Sequence, residues 1–302
     1  MPNTLAHLGI NGLITRGLIK DADLKWVYLG AVIPDLPWIL QRIVIKIIPT
    51  IDLYDLRLYC VAQASLFISL ILCTAFASFS NSPARCFNIL SIGTVLHLIL
   101  DLLQTKWANG VNIFAPFDWQ LINVGFFWPE STLSYVLTVG GGLYWLWYAR
   151  LALNSPWSIH FLSYKRIVFA FLMSAFYLFL PVVYVDGPAT ANAHFVTTLR
   201  NLPKDNDYIE FDRATLTKDD QSSIIHSFTG QEFIVTGIKA SSQKQLISIQ
   251  GHFNTDKTLL ISQYHIHTKF RDYASYLGLS LVLLFWCVNG TAFALRKASK
   301  SH

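Results

Sequence analysis

The amino-acid sequence predicts an all-α polytopic membrane bundle with an inserted extracytoplasmic small β domain, a barrel or OB-like unit. Three observations carry that expectation. Of the 302 residues, 53% are hydrophobic and only 14% charged, and the mean hydropathy is +0.42, more apolar than a soluble core requires. Five apolar runs, over residues 58–79, 86–103, 132–149, 167–185 and 273–295, approach the ~20 residues needed to cross the hydrocarbon of a bilayer. From Asp207 to Thr268 the hydrophobic period changes from helical to alternating, which marks strands.

Taken in order, residues 5–19 and 24–33 are apolar but each too short to cross alone, and the polar turn Lys20-Asp-Ala-Asp23 separates them. They predict a hairpin of two half-spans. With no basic leader before it and no small-residue cleavage site after it, the segment is expected to stay in the mature protein rather than act as a signal peptide. Residues 36–50 mix a strongly apolar stretch with Gln41, Arg42 and Lys46, which suits a helix lying in the interface plane. The five runs above then follow as spans. Arg16, Lys20, Lys25, Arg85, Lys165 and Arg166 fall on one side if the spans alternate, which makes that side cytoplasmic and the 186–272 insertion extracytoplasmic.

Within the insertion, Tyr208-Ile-Glu-Phe-Asp212, Glu232-Phe-Ile-Val-Thr-Gly237, residues 245–253 and residues 258–267 read as strands. A compact barrel accommodates them, and a single sheet nearly as well. The domain limits are therefore 1–186 for the membrane domain with its candidate metal site, 187–272 for the β domain, and 273–302 for a last span with a basic cytoplasmic tail. Cys60, Cys73, Cys86 and Cys287 lie in or beside spans without a CxxC pair, so neither a disulfide framework nor a zinc ribbon is expected. The net charge of +5 sits at span ends rather than on one polar face, so the expected surroundings are membrane lipids and not nucleic acid.

His97 and Asp101 share one helix face at i, i+4 inside the apolar 90–103 stretch. An intramembrane aspartate costs roughly 2.5 kcal/mol or more unless it is paired, hydrated or bound to a metal. The alternating topology brings His7 and Asp35 to the same side, and Pro34 and Pro37 fix the turn that carries Asp35. Two imidazoles and two carboxylates suit a divalent cation, Zn²⁺ foremost, with Mn²⁺ and Fe²⁺ as alternatives, and leave a position for water. The competing reading of His97 and Asp101 is a structural hydrogen bond between neighbours. Gly140-Gly-Gly142 reads as helix packing. Asp118 and Glu130 read as solvated loop charges, and His252, His265 and His267 as a solvated strand face, since no carboxylate or cysteine cluster stands near them in the sequence.

The patterns Met1-Pro-Asn-Thr-Leu-Ala-His7, Leu29-Gly-Ala-Val-Ile-Pro-Asp35 and Gly93-Thr-Val-Leu-His97-Leu-Ile-Leu-Asp101, followed by Gly110-Val-Asn-Ile-Phe-Ala-Pro-Phe117, give the first 119 residues a family look. They resemble the bacterial membrane-bound metal-dependent hydrolase family, which includes LexA-regulated inner-membrane proteins. The resemblance implies a multi-pass protein of the bacterial inner membrane, with metal-assisted hydrolysis of a phosphoester or lipid head group at the outer surface. Family members carry His-Arg-x-x-Thr-His-Ser before the His-x-x-x-Asp helix; here Leu58-Tyr-Cys-Val-Ala-Gln-Ala-Ser65 stands there, and only Ser65 is in keeping. Asp52, Asp55 and Arg57 lie just upstream, with Asp55 the candidate oxygen ligand or general base. The missing histidines leave open a mononuclear site or the loss of hydrolysis. The alternative function is a non-catalytic membrane binding or assembly protein that recruits a protein or glycan partner through its β domain.

Overall fold

The computed structural model describes residues 3–153, 163–201, 204–219, 222–241, 243–254 and 258–298. Helix α1, Thr4–Leu18, is capped by the Asn3 side chain, which accepts from the Ala6 N–H at 3.2 Å. Its 15 residues span about 22 Å, short of a full crossing. Helix α2, Leu24–Gly30, starts at Asp23, whose carboxylate accepts from the Lys25 N–H. A 3-10 turn over Ile33–Asp35 then leads straight into α3, Leu36–Ile47.

This corrects the expected break at Pro34. Pro34 and Pro37 occupy first-turn positions, where a missing N–H costs no intrahelical bond, so the chain stays helical past them. Residues Leu24–Ile47 thus form one helical stretch long and apolar enough to cross a membrane, where a half-span followed by an in-plane helix was expected. Three more helices meet the same test: α6, Pro83–Leu103; α8, Tyr164–Val183; and Phe270–Thr291 within α11, Phe270–Ala298. Helix α7, Thr132–Leu153, has the length, but its glycines, tyrosines and tryptophans dilute it, and it is not among those four.

The expected straight span over 58–79 is a bent pair. Helices α4, Leu53–Gln63, and α5, Leu66–Ala77, meet at 69°. Ser65 is extended there, and the Leu66 N–H freed by the break donates to the Asn112 carbonyl at 3.2 Å. The 104–131 segment thereby supplies the acceptor for a backbone donor that the helix break leaves without an intrahelical partner. Short helices α9, Asp186–Ala191, and α10, Thr197–Arg200, lead into the β domain.

Helix α1 packs against α2, α6, α7 and α11. Its contact with α7 is backbone on backbone: a Cβ on Gly141 would lie 2.1 Å from the Leu5 carbonyl oxygen, and one on Gly9 would lie 2.3 Å from Gly141 Cα. Around these helices Leu8, Tyr28, Ile33, Ile68, Leu90 and Phe285 form the buried core.

The β domain comprises β1, Tyr208–Asp219; β2, Ser222–His226; β3, Glu232–Thr236; β4, Gln245–Phe253; and β5, Leu259–His267. The strands hydrogen-bond in the order β1-β2-β3-β5-β4, closed by the β1–β4 pair, and only β3–β5 is parallel. Strand β2 was not expected from the sequence, and the second half of β1 escapes the alternating pattern for a local reason. A bulge between Phe211 and Ala214, with Arg213 at φ 55°, inserts a residue, so the inward face passes from Ile209 and Phe211 to Ala214 and Leu216.

The domain rests on one end of the bundle. Glu210 accepts from the Ala108 N–H at 2.5 Å, the Asn109 amide donates to Asp212 at 3.0 Å, and the Tyr54 hydroxyl donates to Gln231 at 2.8 Å. At the opposite end the Arg85 guanidinium donates to the Lys20 carbonyl and that of Arg166 to the Ser80 carbonyl. Of the expected basic tail, residues 299–302 lie outside the described residues.

Candidate metal centre

Helix α6 supplies His97 and Asp101 one turn apart, both buried. The His97 Nδ1 lies 2.6 Å from the Ala31 carbonyl oxygen. A carbonyl only accepts, so Nδ1 carries the ring proton and the Nε2 lone pair is left facing inward. It faces Asp35 Oδ1 at 3.6 Å and Asp101 Oδ2 at 3.7 Å. The close seat of α2 on α6 sets this distance: a Cβ on Gly30 would lie 2.7 Å from the Leu90 carbonyl oxygen.

Helix α1 brings the His7 ring flat against His97, with centroids 3.9 Å apart and planes at 11°. His7 Nε2 lies 3.4 Å from Asp101 Oδ1. The structure therefore gathers His7, His97 and Asp101 within 4.8 Å of one another by their ligand atoms, with Asp35 beside His97.

Unmet valence is the property these atoms share. His7 Nδ1 and Nε2, His97 Nε2, Asp35 Oδ1 and Asp101 Oδ1 are buried without a hydrogen-bond partner among the described residues. Buried polar atoms are rarely left so, since each costs about 1–3 kcal/mol. Beside them lies a cavity of about 20 Å³, lined by Asp35, His97, Asp101, Lys106 and Asn109 among others. That is room for one water-sized occupant. Ligands on a tetrahedral ion with bonds of about 2.0–2.2 Å stand roughly 3.3–3.6 Å apart, close to the 3.4 Å of His7–Asp101, the 3.6 Å of His97–Asp35 and the 3.7 Å of His97–Asp101.

Lys106 is the member that the sequence reading missed. Its ammonium lies 2.9 Å from Asp101 Oδ2 and leaves Oδ1 to face His7. A lysine five residues beyond an intramembrane aspartate was the available signal. The chain leaves the helix at Gln104 and returns Lys106 to the pocket, which spacing along the sequence does not show.

Asp55 does not join the group. It occupies the first turn of α4, exposed, and binds Arg200 at 2.5 Å, while Asp52 holds the same guanidinium at 3.2 Å and caps α4. Its expected part as ligand or base is thus not kept. The Gln63 amide donates to the Tyr59 hydroxyl and the Tyr177 carbonyl. The solvated reading of the β-domain histidines also needs correction. His265 and His267 meet Glu130, whereas His252 packs on Tyr208 and stands apart.

The chain matches no protein family, no curated protein and no solved structure. The chemistry of the pocket is therefore read from its own atoms.

Proposed function

We propose that this chain is an integral membrane, metal-dependent hydrolase that cleaves a phosphoester or lipid head group at the outer face of a bacterial inner membrane. The single observation that carries the reading is the set of partnerless buried atoms on His7, Asp35, His97 and Asp101, the last three of which line one small cavity. These four residues would hold a divalent ion, Zn²⁺ foremost. Such an ion supplies Lewis acidity toward a phosphoryl oxygen and activates water at neutral pH.

The remaining work falls to the chain itself. Ala31 holds the His97 ring so that Nε2 stays available as a ligand. Lys106 and Asn109 line both the deep cavity and a wider one of about 410 Å³ bounded by Trp107, Asn123, His194, Glu210 and Gln250. A chamber of this size suits a head group, and the Lys106 ammonium would bind and orient its phosphoryl oxygens. The basic residues Arg85 and Arg166 at the opposite end support a cytoplasmic assignment there, and on that assignment the β domain, the chamber and Lys106 would lie outside.

A second reading has its own support. Lys106 already neutralises Asp101, and the two histidines expected just before Ser65 are absent from the chain, as suits an assembly protein whose OB-type barrel recruits a protein or glycan. Metal analysis separates the two. Purified in mild detergent, the protein should lose one equivalent of zinc and its phosphodiesterase turnover on Asp101→Ala, while still inserting in the membrane. An unchanged metal content on that substitution rejects the hydrolase.

A further inference from the structure

We propose a second divalent-cation site, formed by Glu130, His265 and His267, that clamps the segment before α7 to strand β5 of the β domain. It is separate from the deep pocket and does not depend on it.

His265 and His267 alternate along β5 and so share a face. Glu130, which precedes α7 in the chain, reaches across to both: Oε2 lies 2.9 Å from His265 Nε2, and Oε1 lies 3.2 Å from His267 Nδ1. The three ligand atoms lie within 4.8 Å of one another. The side chains are mostly withdrawn from solvent, His267 at 2% exposure, Glu130 at 12% and His265 at 23%.

The hydrogen bonds around His267 accommodate the ligating tautomer. Ser248 Oγ accepts from the Arg213 N–H at 3.1 Å and lies 3.4 Å from Asp212 Oδ1 and 2.8 Å from His267 Nε2. In the tautomer in which Nε2 donates to Oγ and the Ser248 proton goes to Asp212, the Nδ1 lone pair is turned toward Glu130 Oε1, 3.2 Å away, and a cation between them would be held by both.

The surroundings are those of a built site. The Thr268 N–H donates to Glu130 Oε1, holding the carboxylate. Trp128 stacks on His265 at 3.9 Å with planes 5° apart, and Trp107 packs edge-on against Trp128, so the ring of His265 is fixed. Ser248 and Asp212 form the outer hydrogen-bonded layer that orients a ligating histidine. Two imidazoles and one carboxylate, with a water to complete the tetrahedron, select Zn²⁺ among common divalent ions.

The test uses the full chain in detergent, stripped with chelator, reloaded with Zn²⁺ and analysed for zinc per chain. In the His97→Ala/Asp101→Ala background, one equivalent should remain, and adding Glu130→Gln should weaken its binding by roughly tenfold or more. Glutamine keeps the shape of Glu130, so folding is preserved. A spectroscopic readout accompanies it: Co²⁺ should quench tryptophan fluorescence, and Trp128→Phe should remove that part of the quenching. If the deep pocket takes no metal, the unmutated chain binds one zinc instead of two, and the Glu130→Gln effect still stands. Zinc binding that is absent in the His97→Ala/Asp101→Ala background, or unmoved by Glu130→Gln, overturns the proposal in favour of a hydrogen-bonded latch without metal.

Discussion

Lys106 places its ammonium 2.9 Å from Asp101 Oδ2, so its positive charge competes with any cation for one of the two carboxyl groups that line the deep pocket. Lys106→Met removes that positive charge and keeps most of the side chain's volume. If the pocket holds a metal, the variant should bind zinc at least about tenfold more tightly, because a unit charge at about 4 Å is worth about 4 kcal/mol at an effective dielectric of 20. Turnover of an anionic substrate should fall at the same time. If Lys106 is instead the permanent partner of Asp101, the variant gains no zinc and loses about 3–5 kcal/mol of stability, as expected for half of a buried ion pair. Zinc titration and thermal unfolding of one preparation separate these outcomes. His97 and Asp101 were legible because an i, i+4 pair in an apolar run stands out, and Asp35 because prolines frame it. Lys106 was not, since only the return of the chain after Gln104 brings it back. Asp55 misled because sequence proximity does not tell which end of α4 it occupies.

At the scale of elements, the pocket depends on how closely α1 sits on its neighbours. Gly141 is the contact point: any side chain there meets the Leu5 carbonyl, two residues from His7. Gly141→Val should push α7 from α1, cost about 1–3 kcal/mol as overpacking does, and lower zinc retention by carrying His7 away from His97. Gly140 and Gly142 flank it, yet a Cβ on either meets nothing within 4 Å among the described residues. Gly140→Val therefore serves as the control, with folding and metal content unchanged. Equal effects of the two substitutions would mean that helix propensity, not the α1–α7 contact, matters. The three glycines announced close packing in the sequence, but not which one makes it, because that depends on the rotation of α7. The bend between α4 and α5 was hidden for a similar reason: the acceptor for the Leu66 N–H is Asn112, far along the chain. In the β domain the bulge at Arg213 reversed the alternation of β1, so a period of two, counted from Tyr208, lost the strand midway.

At the scale of the whole molecule, the β domain and the 104–131 segment share the walls of the wide chamber, and Glu210 holds that seam. Its carboxylate accepts from the Ala108 N–H at 2.5 Å, the Tyr208 hydroxyl at 2.6 Å and the Gln250 amide at 2.7 Å, with His194 at 3.6 Å. Burial alone would raise its pKa; the bonds from His194, Ala108, Tyr208 and Gln250 outweigh burial and bring it down to about 2. A carboxylate with a depressed folded-state pKa contributes stability that is present above its ordinary value near 4.5 and drains away as pH falls toward 2. The seam should accordingly loosen across that window, read as faster hydrogen exchange at Ala108 and cleavage within 104–131. Glu210→Gln should move the loosening to neutral pH, costing about 1–3 kcal/mol, the usual loss for a charge-assisted bond in a half-buried place. Deleting the whole β domain is the poorer test, since it strips Glu210, Asp212, His265 and His267 from the segment that carries Lys106. If the acid transition leaves exchange at Ala108 unmoved while the rest of the domain unfolds, the seam is held by the apolar contacts of Phe195 and Val196 with Leu58 and Val61. The chamber would then keep its shape at every pH at which the domain is folded.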